Sequence, residues 1–558
     1  MGLTVRTGRL GVVRGSPHKT QCAHRRRPTS YAVAVDTGDR GSGVALAELV
    51  GAFSLATDLG LGQPMEHILR SWVIASRVGE HLDLRLDERN ALYYVATLAW
   101  VGCVADTPEL AAWFGDDIAF RGDSRQIDLA GLPMMGFMLR HVGLGSPALH
   151  RLRMGASFMV KGAKEVERAL LSHCLTTSQM AERLGLEDSV GDALQQTFTR
   201  WDGKGVPAGV GGEEITMSMR LLHLGDIVEV FQRSGGADAA VEVARARRGT
   251  YFDPDVVDAF CPLAGDILGS EPNGLDWAAL VADNPALHRY LSHTELDAAL
   301  EAIADFTDLR SPPRAGHSRC VAELVSRAAA CAGLPETDVT TVRRAGLVHD
   351  IGLHGLPATI LDKPGPLSAS ETERMRMHAY YTERMLTRPE ALARIGAIAS
   401  LVNERCDGSG YHRGLAGAAI PLTGRLLAAA CAYCAMIEPR PYRPPLTAKQ
   451  ATDELRADVR AGRLDANAVD AVLEAAGQPR GKRRSGPAGL TPREIEVLTL
   501  IARGASTRQV AQRLSITPKT AETHIERIYT KTGASTRSTA TLFALQHGLL
   551  DSLEPLDL

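Results

Sequence analysis

The sequence predicts an all-α protein that ends in a small helical domain, and three observations support this fold class. From about Val44 onwards, apolar residues recur three and four positions apart for hundreds of residues, with few alternating stretches typical of strands. Much of this helical pattern occurs twice along the chain. Near the C-terminus, capping residues and glycine breaks delimit a set of short helices.

Length and composition narrow the class of protein. At about 150 residues per domain, 558 residues predict roughly three domains, and 45% apolar residues suffice for their cores. A net charge of -3 argues against a chain built wholly around nucleic acid, so any DNA-binding surface is local. Nine cysteines without a disulfide-like spacing predict a cytoplasmic protein. The longest uncharged run, residues 90–105, is short for a membrane helix, so no membrane association is expected.

Residues 1–42 differ from the rest of the chain. Scattered basic residues, including Arg25-Arg26-Arg27, lie among Gly, Ser, Thr and Pro, and no apolar periodicity is present. A targeting peptide needs a hydrophobic core or a sustained amphipathic helix, and neither is evident. We therefore interpret this stretch as a disordered basic arm or as an over-long start of the chain.

The internal repeat has two offsets. Positions in the first half recur 250 residues later, and positions further on recur 205 residues later. The change of 45 predicts an insertion in the first copy, between Trp100 and His173. The repeat predicts tandem helical domains at 43–285 and 286–477. The matched stretches are Thr57-Asp58-Leu59 with Thr307-Asp308-Leu309, His67 with His317, Arg200–Gly205 with Arg405–Gly410, and Gly212, Ile215 and Arg220 with Gly417, Ile420 and Arg425.

The stretch from Asn403 to Arg443 carries a recognisable motif. Residues 407–411 read DGSGY, Gly414-Leu415 and Gly417 continue the motif, and residues 440–443 read RPYR. This stretch resembles the second half of an HD-GYP domain, a family of metal-dependent phosphodiesterases that open cyclic di-GMP. The resemblance implies that both copies are HD-type helical domains.

The resemblance also implies where metal ligands stand. The second copy keeps four of them, while the family's His pair falls on Val402-Asn403 and its final Asp on Cys431. The family's Lys after the His-Asp run is Leu353, and the Pro of its signature is His412. The first copy keeps His67, His173 and Asp226, with Ala99-Trp100 and Thr197-Phe198 at the places of the His-Asp and His pairs. The four implied ligands of the second copy are His317, His349, Asp350 and His378.

Three interpretations of the second copy stay open. In these interpretations the histidines are hydrogen-bonded core residues of a retired site, ligands of a single divalent metal (Fe, Mn or Zn), or part of an active hydrolase. An incomplete ligand set disfavours a two-metal clamp, so no catalytic residue is assigned. Cys431 and Cys434 form a CxxC, which we interpret as small apolar helix residues rather than a zinc or redox site. A nucleotide ligand is expected at Gly410, Tyr411, Arg413, Arg440 and Arg443.

Residues 478–489 and 490–550 form the last two segments. The first, rich in Pro, Gly and basic residues, predicts an exposed linker. In the second, Thr491 with Pro492 and Glu494 predicts a capped helix start, Ser506 caps a second helix, and Thr517-Pro518 begins a third that runs to about Thr532. This stretch resembles a LuxR-type helix-turn-helix domain along its whole length, and the third helix is expected in the DNA major groove.

The resemblance assigns base-facing positions to Glu522, Thr523 and Glu526. Phosphate contacts are expected from Lys519, Thr520, Arg527 and Lys531. The sequence as a whole therefore predicts a bacterial transcription regulator that binds double-stranded DNA as a homodimer, with HD-type domains that sense a ligand or mediate dimerisation. The competing interpretations are a metal-dependent phosphodiesterase that carries a DNA-binding domain, and a protein-interaction scaffold.

Overall fold

Helices make up the regular secondary structure of the residues that the structure describes, apart from isolated β-bridges. This computed structural model describes residues 42–128, 131–144, 147–269, 277–282, 284, 287–478 and 486–550. The predicted arm at 1–42 lies almost wholly outside these residues, as do most of the predicted linker at 478–489 and the predicted boundary at 285/286. Within the described part, no helix combines the length and apolarity needed to cross a membrane. The all-α prediction is confirmed.

The described residues of the first repeat form eight helices outside its insertion and three within it. The helices outside the insertion are α1 (Leu46–Gly60), α2 (His67–His81), α3 (Leu86–Leu98), α7 (Ala148–Arg183), α8 (Asp188–Leu194), α9 (Met217–Ala246), α10 (Pro254–Gly269) and α11 (Trp277–Ala282). The insertion contains α4 (Thr107–Phe114), α5 (Asp117–Ser124) and α6 (Gly131–His141). Its aromatic side chains form a small core of their own, in which Phe114 and Phe120 stack with ring centroids 3.9 Å apart.

The second repeat follows the same order without the insertion. Its helices are α12 (His293–Asp308), α13 (His317–Cys331), α14 (Glu336–Val348), α15 (Ala358–Leu361), α16 (Ala369–Leu386), α17 (Glu390–Ala399), α18 (Leu422–Ile437), α19 (Ala448–Arg460) and α20 (Ala466–Ala475). Helices α2 and α13 begin and end 250 residues apart, and so do α3 and α14. Helices α9 and α18 begin 205 residues apart, so the helix positions follow both sequence offsets.

Local contacts repeat with the helices. Asp58 accepts a hydrogen bond of 3.0 Å from the amide of Ile68, and Asp308 accepts one of 2.9 Å from the amide of Ser318. In both copies this carboxylate accepts from an amide in the first turn of the next helix, which would otherwise lack a partner. That helix begins with His67 in the first copy and with His317 in the second. Glycines at matching positions of the two repeats also lie in close contact with the helix that follows them. A side chain at Gly102 would overlap His173, and one at Gly352 would overlap His378.

The two repeats share one apolar core. Outside the insertion, buried residues of both repeats belong to a single contiguous cluster, which includes Phe53 and Val73 of the first repeat and Val325 and Leu427 of the second. A buried polar contact also joins them. Asp117 of α5 accepts from Arg310 at 3.1 Å and from the amide of Ala358 at 2.9 Å. The repeats are therefore packed together as one helical body.

The C-terminal domain has its own core. Its helices are α21 (Pro492–Ala502), α22 (Thr507–Arg513), α23 (Pro518–Thr532) and α24 (Arg537–Gln546). The predicted caps form: Thr491 and Glu494 make a reciprocal capping box, and the Ser506 and Thr517 side chains accept from amides three residues on. Gly533 ends α23 in the left-handed conformation, as its position predicts. The side chains of Val497, Val510 and Ile528 pack in this separate core.

Candidate metal centre and DNA-reading helix

Four side chains of the second repeat converge from three helices. His317 is the first residue of α13, His349 and Asp350 follow the end of α14, and Cys431 lies in the middle of α18. The Cys431 sulfur is 3.8 Å from Nε2 of His317 and 3.7 Å from Nε2 of His349. Oδ2 of Asp350 is 3.8 Å and 3.3 Å from the same two nitrogens. The elements thus bring two nitrogens, one sulfur and one oxygen together.

These separations suit a single four-coordinate cation. Bonds of about 2.0–2.3 Å at tetrahedral angles place neighbouring ligand atoms roughly 3.3–3.7 Å apart. The two sulfur–nitrogen and two oxygen–nitrogen separations, 3.3–3.8 Å, agree with that geometry. His317, His349 and Cys431 form a set whose ligand atoms all lie within 4.8 Å of one another. Sequence reasoning missed Cys431 as a candidate ligand, because its CxxC was interpreted as apolar packing. The signal was present, since Cys431 stands where the family has its final Asp ligand.

The second nitrogen of each histidine is anchored so that Nε2 faces the site. Nδ1 of His317 lies 2.7 Å from the Glu438 carboxylate, and Nδ1 of His349 lies 2.8 Å from the carbonyl of Gly346. Outer partners of this kind orient metal-binding imidazoles. Burial lowers the pKa of both rings well below the usual value, and neighbouring charged groups lower it further. Neutral rings offer the lone pair that a metal needs.

Two features oppose metal binding. Arg314 donates a hydrogen bond to Oδ2 of Asp350, so a cationic side chain already neutralises this carboxylate. Burial raises the pKa of the Cys431 thiol to about 11, although a bound metal deprotonates a coordinating thiol outright. The donor set fits one divalent metal, provided that Arg314 moves aside.

His378 lies to one side of this group. Its Nε2 is 3.0 Å from Nδ2 of Asn403 and 3.9 Å from Oδ1 of Asp350, and burial lowers its pKa to about 4. Val402, at the other position of the family's His pair, is buried and apolar. The structure therefore brings His317, His349 and Asp350 together as predicted and leaves His378 beside the Asn403 amide.

A cavity of about 810 Å³ opens over this group. Of the residues predicted to bind a nucleotide, Tyr411 and Arg440 line it. Gly410 packs against the backbone of Asn403 and Arg405, Arg413 pairs with Glu383, and Arg443 donates to backbone carbonyls at the end of α18, including that of Met436. Sequence reasoning missed Arg314 and Lys363, which also line the cavity. Arg314 donates to Asp350, and Lys363 pairs with Glu371 at 2.6 Å.

In the first repeat the corresponding residues bind one another. Nδ1 of His67 lies 2.5 Å from Glu229, and its Nε2 lies 3.1 Å from Asp226. Burial alone would lower the pKa of His67, but these two carboxylates raise it to about 9. Arg125, which follows α5 of the insertion, donates to Asp226, and its guanidinium lies 3.8 Å from the Trp100 ring centroid. The His67 imidazolium and the Arg125 guanidinium thus supply the positive charge that a metal would supply beside Asp226.

His173 belongs to a different buried group. Its Nε2 lies 2.7 Å from the carbonyl of Ala99, and its Nδ1 lies 3.7 Å from Asp106. Cys103, Asp106 and His173 are close enough to share a cation, but Arg121 already pairs with Asp106 at 2.5 Å. The first repeat therefore does not assemble His67, His173 and Asp226 as one ligand set.

Helix α23 presents the predicted DNA-reading face to solvent. Ala521 and Ile528 anchor the helix in the domain core. The opposite face carries the predicted contact residues, all of them exposed: Lys519, Thr520, Glu522, Thr523, Glu526, Arg527 and Lys531. Lys531 differs from the others, because its ammonium donates to the buried carboxylate of Glu494 at 2.7 Å and to the carbonyl of Gly489 at 3.0 Å.

Comparison with known proteins gives two family matches. A family model described as an HD domain matches residues 301–468, and one described as bacterial regulatory proteins of the luxR family matches residues 488–544. Residues 301–468 thus resemble an HD domain and residues 488–544 a LuxR-type helix-turn-helix domain, so the predicted resemblance to these two domain types is confirmed. The HD model matches the second repeat only.

Two known proteins and one solved structure that resemble this chain are phosphodiesterases of cyclic dinucleotides. A 3′3′-cGAMP-specific phosphodiesterase 3 from Vibrio cholerae is 27% identical over 402 residues, which cover 71% of this chain and 87% of that protein. A cyclic di-GMP phosphodiesterase from Thermotoga maritima is 37% identical over 158 residues, which cover 28% of this chain and less than half, 43%, of that protein. A crystal structure of a cyclic GMP-AMP specific phosphodiesterase from V. cholerae shares the fold, with a TM-score of 0.55 and 24% identity over 78% of this chain and 98% of that one. The 402-residue match is longer than either repeat, which supports the tandem arrangement.

Proposed function

We propose that this protein is a DNA-binding transcription regulator whose HD-type body binds a ligand and holds two copies of the chain together. The observation that carries the proposal is the complete LuxR-type domain. Its caps and separate core hold α23 with Glu522, Thr523 and Glu526 exposed along one face. Recognition helices of this kind read base edges, while helix ends and basic residues contact phosphate.

The test is selection of duplex sites by the full-length protein. A bound consensus should emerge, and the affinity should fall steeply with salt because phosphate contacts release counterions. Thr523→Ala should change the preferred bases, whereas Lys519→Ala should weaken all duplexes about equally. Lys449→Ala, which removes an exposed lysine from α19 of the HD body, is the matched control and should change neither. Selection that yields no sequence preference contradicts the proposal.

Helix α7 and helix α6 of the insertion supply a surface that supports the proposed homodimer. On α7, Leu149, Leu152 and Met159 are exposed at spacings of about three and seven residues, with Val160 beside them. On α6, Leu132 and Leu139 are also exposed. Apolar stripes at this spacing pack against a second helix in helical dimers. A two-fold dimer would also place two DNA-reading helices on the two half-sites of a palindromic DNA site.

Light scattering tests the dimer. The wild type should have about twice the mass of the chain, and the double variant Leu152→Glu/Val160→Glu should have the mass of one chain, because two carboxylates on the stripe oppose its burial. Lys161→Glu, at an exposed position of the same helix, introduces the same acidic group outside the stripe and should leave the dimer intact. A monomeric wild type, or a dimer unaffected by the double variant, contradicts this assignment.

A second candidate function is favoured by the spacing of His317, His349, Asp350 and Cys431, namely a metal-dependent phosphodiesterase with a cyclic dinucleotide substrate. A bound divalent metal lowers the pKa of a coordinated water and polarises phosphoryl oxygens. Around it, Arg314, Lys363 and Arg440 would bind phosphate. The similar phosphodiesterases of V. cholerae and T. maritima support this candidate.

Turnover measurements separate the two candidates. We expect no hydrolysis of 3′3′-cGAMP or cyclic di-GMP with added manganese, iron or zinc, because Val402 and Asn403 replace ligands of a second metal and Leu353 replaces a cation. Turnover that His349→Ala abolishes would establish the enzyme instead. Turnover that survives this substitution would come from a contaminant.

A further inference from the structure

The first repeat encloses a cavity of about 220 Å³. It is much smaller than the cavity of the second repeat, and its walls are mainly apolar and aromatic. Trp100 and Phe198 belong to the repeat itself, whereas Phe120 and Met138 come from the insertion. The insertion therefore covers the space where the second repeat has its open metal cavity.

Positive charge lines this cavity in excess. Five basic side chains and two carboxylates face it: Arg121, Arg125, Arg200, Lys204 and Arg247 with Asp106 and Asp226. Four of the five cations have carboxylate partners. Arg121 pairs with Asp106 and Asp117, Arg125 with Asp226, Arg200 with Asp128 and Asp202, and Lys204 with Asp202.

Arg247 is the exception. It follows the end of α9, is 8% exposed, and its guanidinium forms no hydrogen bond or ion pair with any residue in the part of the chain that the structure describes. Asp128 is the carboxylate whose charge acts on Arg247, but it pairs with Arg200 at 2.6 Å. The guanidinium lies 5.7 Å from the ring centroid of Phe231, so an aromatic ring is near it but no carboxylate neutralises its charge. A largely buried cation in this state is stabilised by a group that supplies the opposite charge.

We propose that this cavity binds a small amphipathic carboxylate, an organic monoanion with one aromatic ring or a short apolar chain. The carboxylate pairs with Arg247, and the apolar part packs among Trp100, Phe120 and Phe198. Binding sites of this type are mostly apolar, with few polar groups that fix the orientation of the ligand. The ligand chemistry extends the proposed sensing role, and the binding itself does not depend on DNA recognition.

Calorimetric titration of the full-length protein without DNA tests the proposal, with indole-3-acetate and octanoate as the acids and their amides as neutral matches. At least one acid should bind, and its amide should bind about tenfold more weakly, or more weakly still, because a charged pair in a desolvated site contributes more than a neutral hydrogen bond.

Arg247→Met keeps the length of the side chain and removes the charge. It should abolish the preference for the acid and raise the melting temperature of the ligand-free protein.

Arg248→Met is the matched control. Arg248 is the next residue, but its guanidinium pairs with Asp258 at 2.6 Å on the surface, so this variant should keep the acid preference. Absence of binding by both acids at millimolar concentration overturns the proposal, as does equal binding of acid and amide. An acid preference that persists in Arg247→Met also overturns it. Loss of DNA recognition with retained acid binding would contradict the proposed regulator alone.

Discussion

At the scale of single residues, we expect one thiol to determine which metal the second repeat prefers. Thiolate ligands favour zinc, whereas carboxylate ligands favour harder ions such as manganese. Because Cys431 contacts both His317 and His349, we expect the wild type to hold at most one metal per chain, with zinc preferred over manganese.

Metal analysis of purified protein loaded with equimolar zinc and manganese measures this preference. Cys431→Asp should shift occupancy towards manganese, and Cys431→Ala should weaken zinc binding by more than the roughly 10–100-fold loss that changes in outer partners cause. The exposed Cys331 provides the control, since Cys331→Ala should leave occupancy unchanged. Zinc occupancy that is the same in Cys431→Ala would place the metal elsewhere.

A second residue-scale prediction concerns pH. The folded protein raises the pKa of His67 from 6.5 to about 9. A raised pKa stabilises the folded state fully below pH 6.5, and this stabilisation is lost as the pH rises through 9. A shift of this size corresponds to about 3 kcal/mol. Asp226 has its pKa lowered to about 2, so its contribution is lost only in strong acid.

Scanning calorimetry between pH 6 and pH 9.5 checks the sign. The transition of the helical body should move to lower temperature as the pH rises, and the transition of the DNA-binding domain should move less. His67→Gln should have a lower melting temperature at pH 6 and a smaller change with pH. A helical body whose stability rises between pH 7 and pH 9 would contradict the assigned ion pairs.

At the scale of elements, α23 separates structural from DNA-contacting residues. The Lys531 ammonium pairs with Glu494, whose side chain is buried, so removal of the lysine leaves a buried carboxylate without its cation. We expect Lys531→Met to destabilise the DNA-binding domain by about 1–3 kcal/mol. Lys519→Met, at an exposed position of the same helix, should weaken DNA binding without changing the melting temperature.

The calorimetric transition of the C-terminal domain, together with DNA affinity, distinguishes the two lysines. The double variant Lys531→Met/Glu494→Gln should regain part of the lost stability, because it removes the unpaired charge as well. If Lys531→Met weakened all duplexes and left the transition unchanged, Lys531 would be a phosphate contact, as the family resemblance implies.

The elements also show why sequence reasoning succeeded in some places. The caps of α21, α22 and α23 depend on residues three apart, so local sequence determines them. The repeat was visible because matched helices begin at constant offsets. The positions of His317, His349 and Asp350 followed from the family motif, and their convergence is seen in the structure.

Other features depended on partners distant in sequence. Arg125 binds Asp226 across 101 residues, and Glu438 binds His317 across 121 residues. No local pattern identifies such pairs. The arginines of the RPYR turn illustrate the same limit. Arg440 faces the cavity, whereas Arg443 binds carbonyls at a helix end, although both belong to one motif of four residues.

At the scale of the whole molecule, the insertion distinguishes the two repeats. It fills the first with aromatic side chains and supplies Arg125, whereas the second keeps an open cavity over its candidate metal ligands. A duplicated fold thus provides two cavities with chemically different linings within one helical body. A DNA-binding domain with a separate core follows it.

The shared core has a consequence for how this protein can be divided and recombined. Arg310 is buried against Asp117 of the other repeat, so a fragment cut between the repeats would expose an apolar face together with an unpaired guanidinium. Such a fragment should aggregate when expressed alone. Residues 486–550, in contrast, have their own core and could be exchanged for another reader. The C-terminal domain can therefore be exchanged as a module, whereas the two repeats cannot be separated from each other.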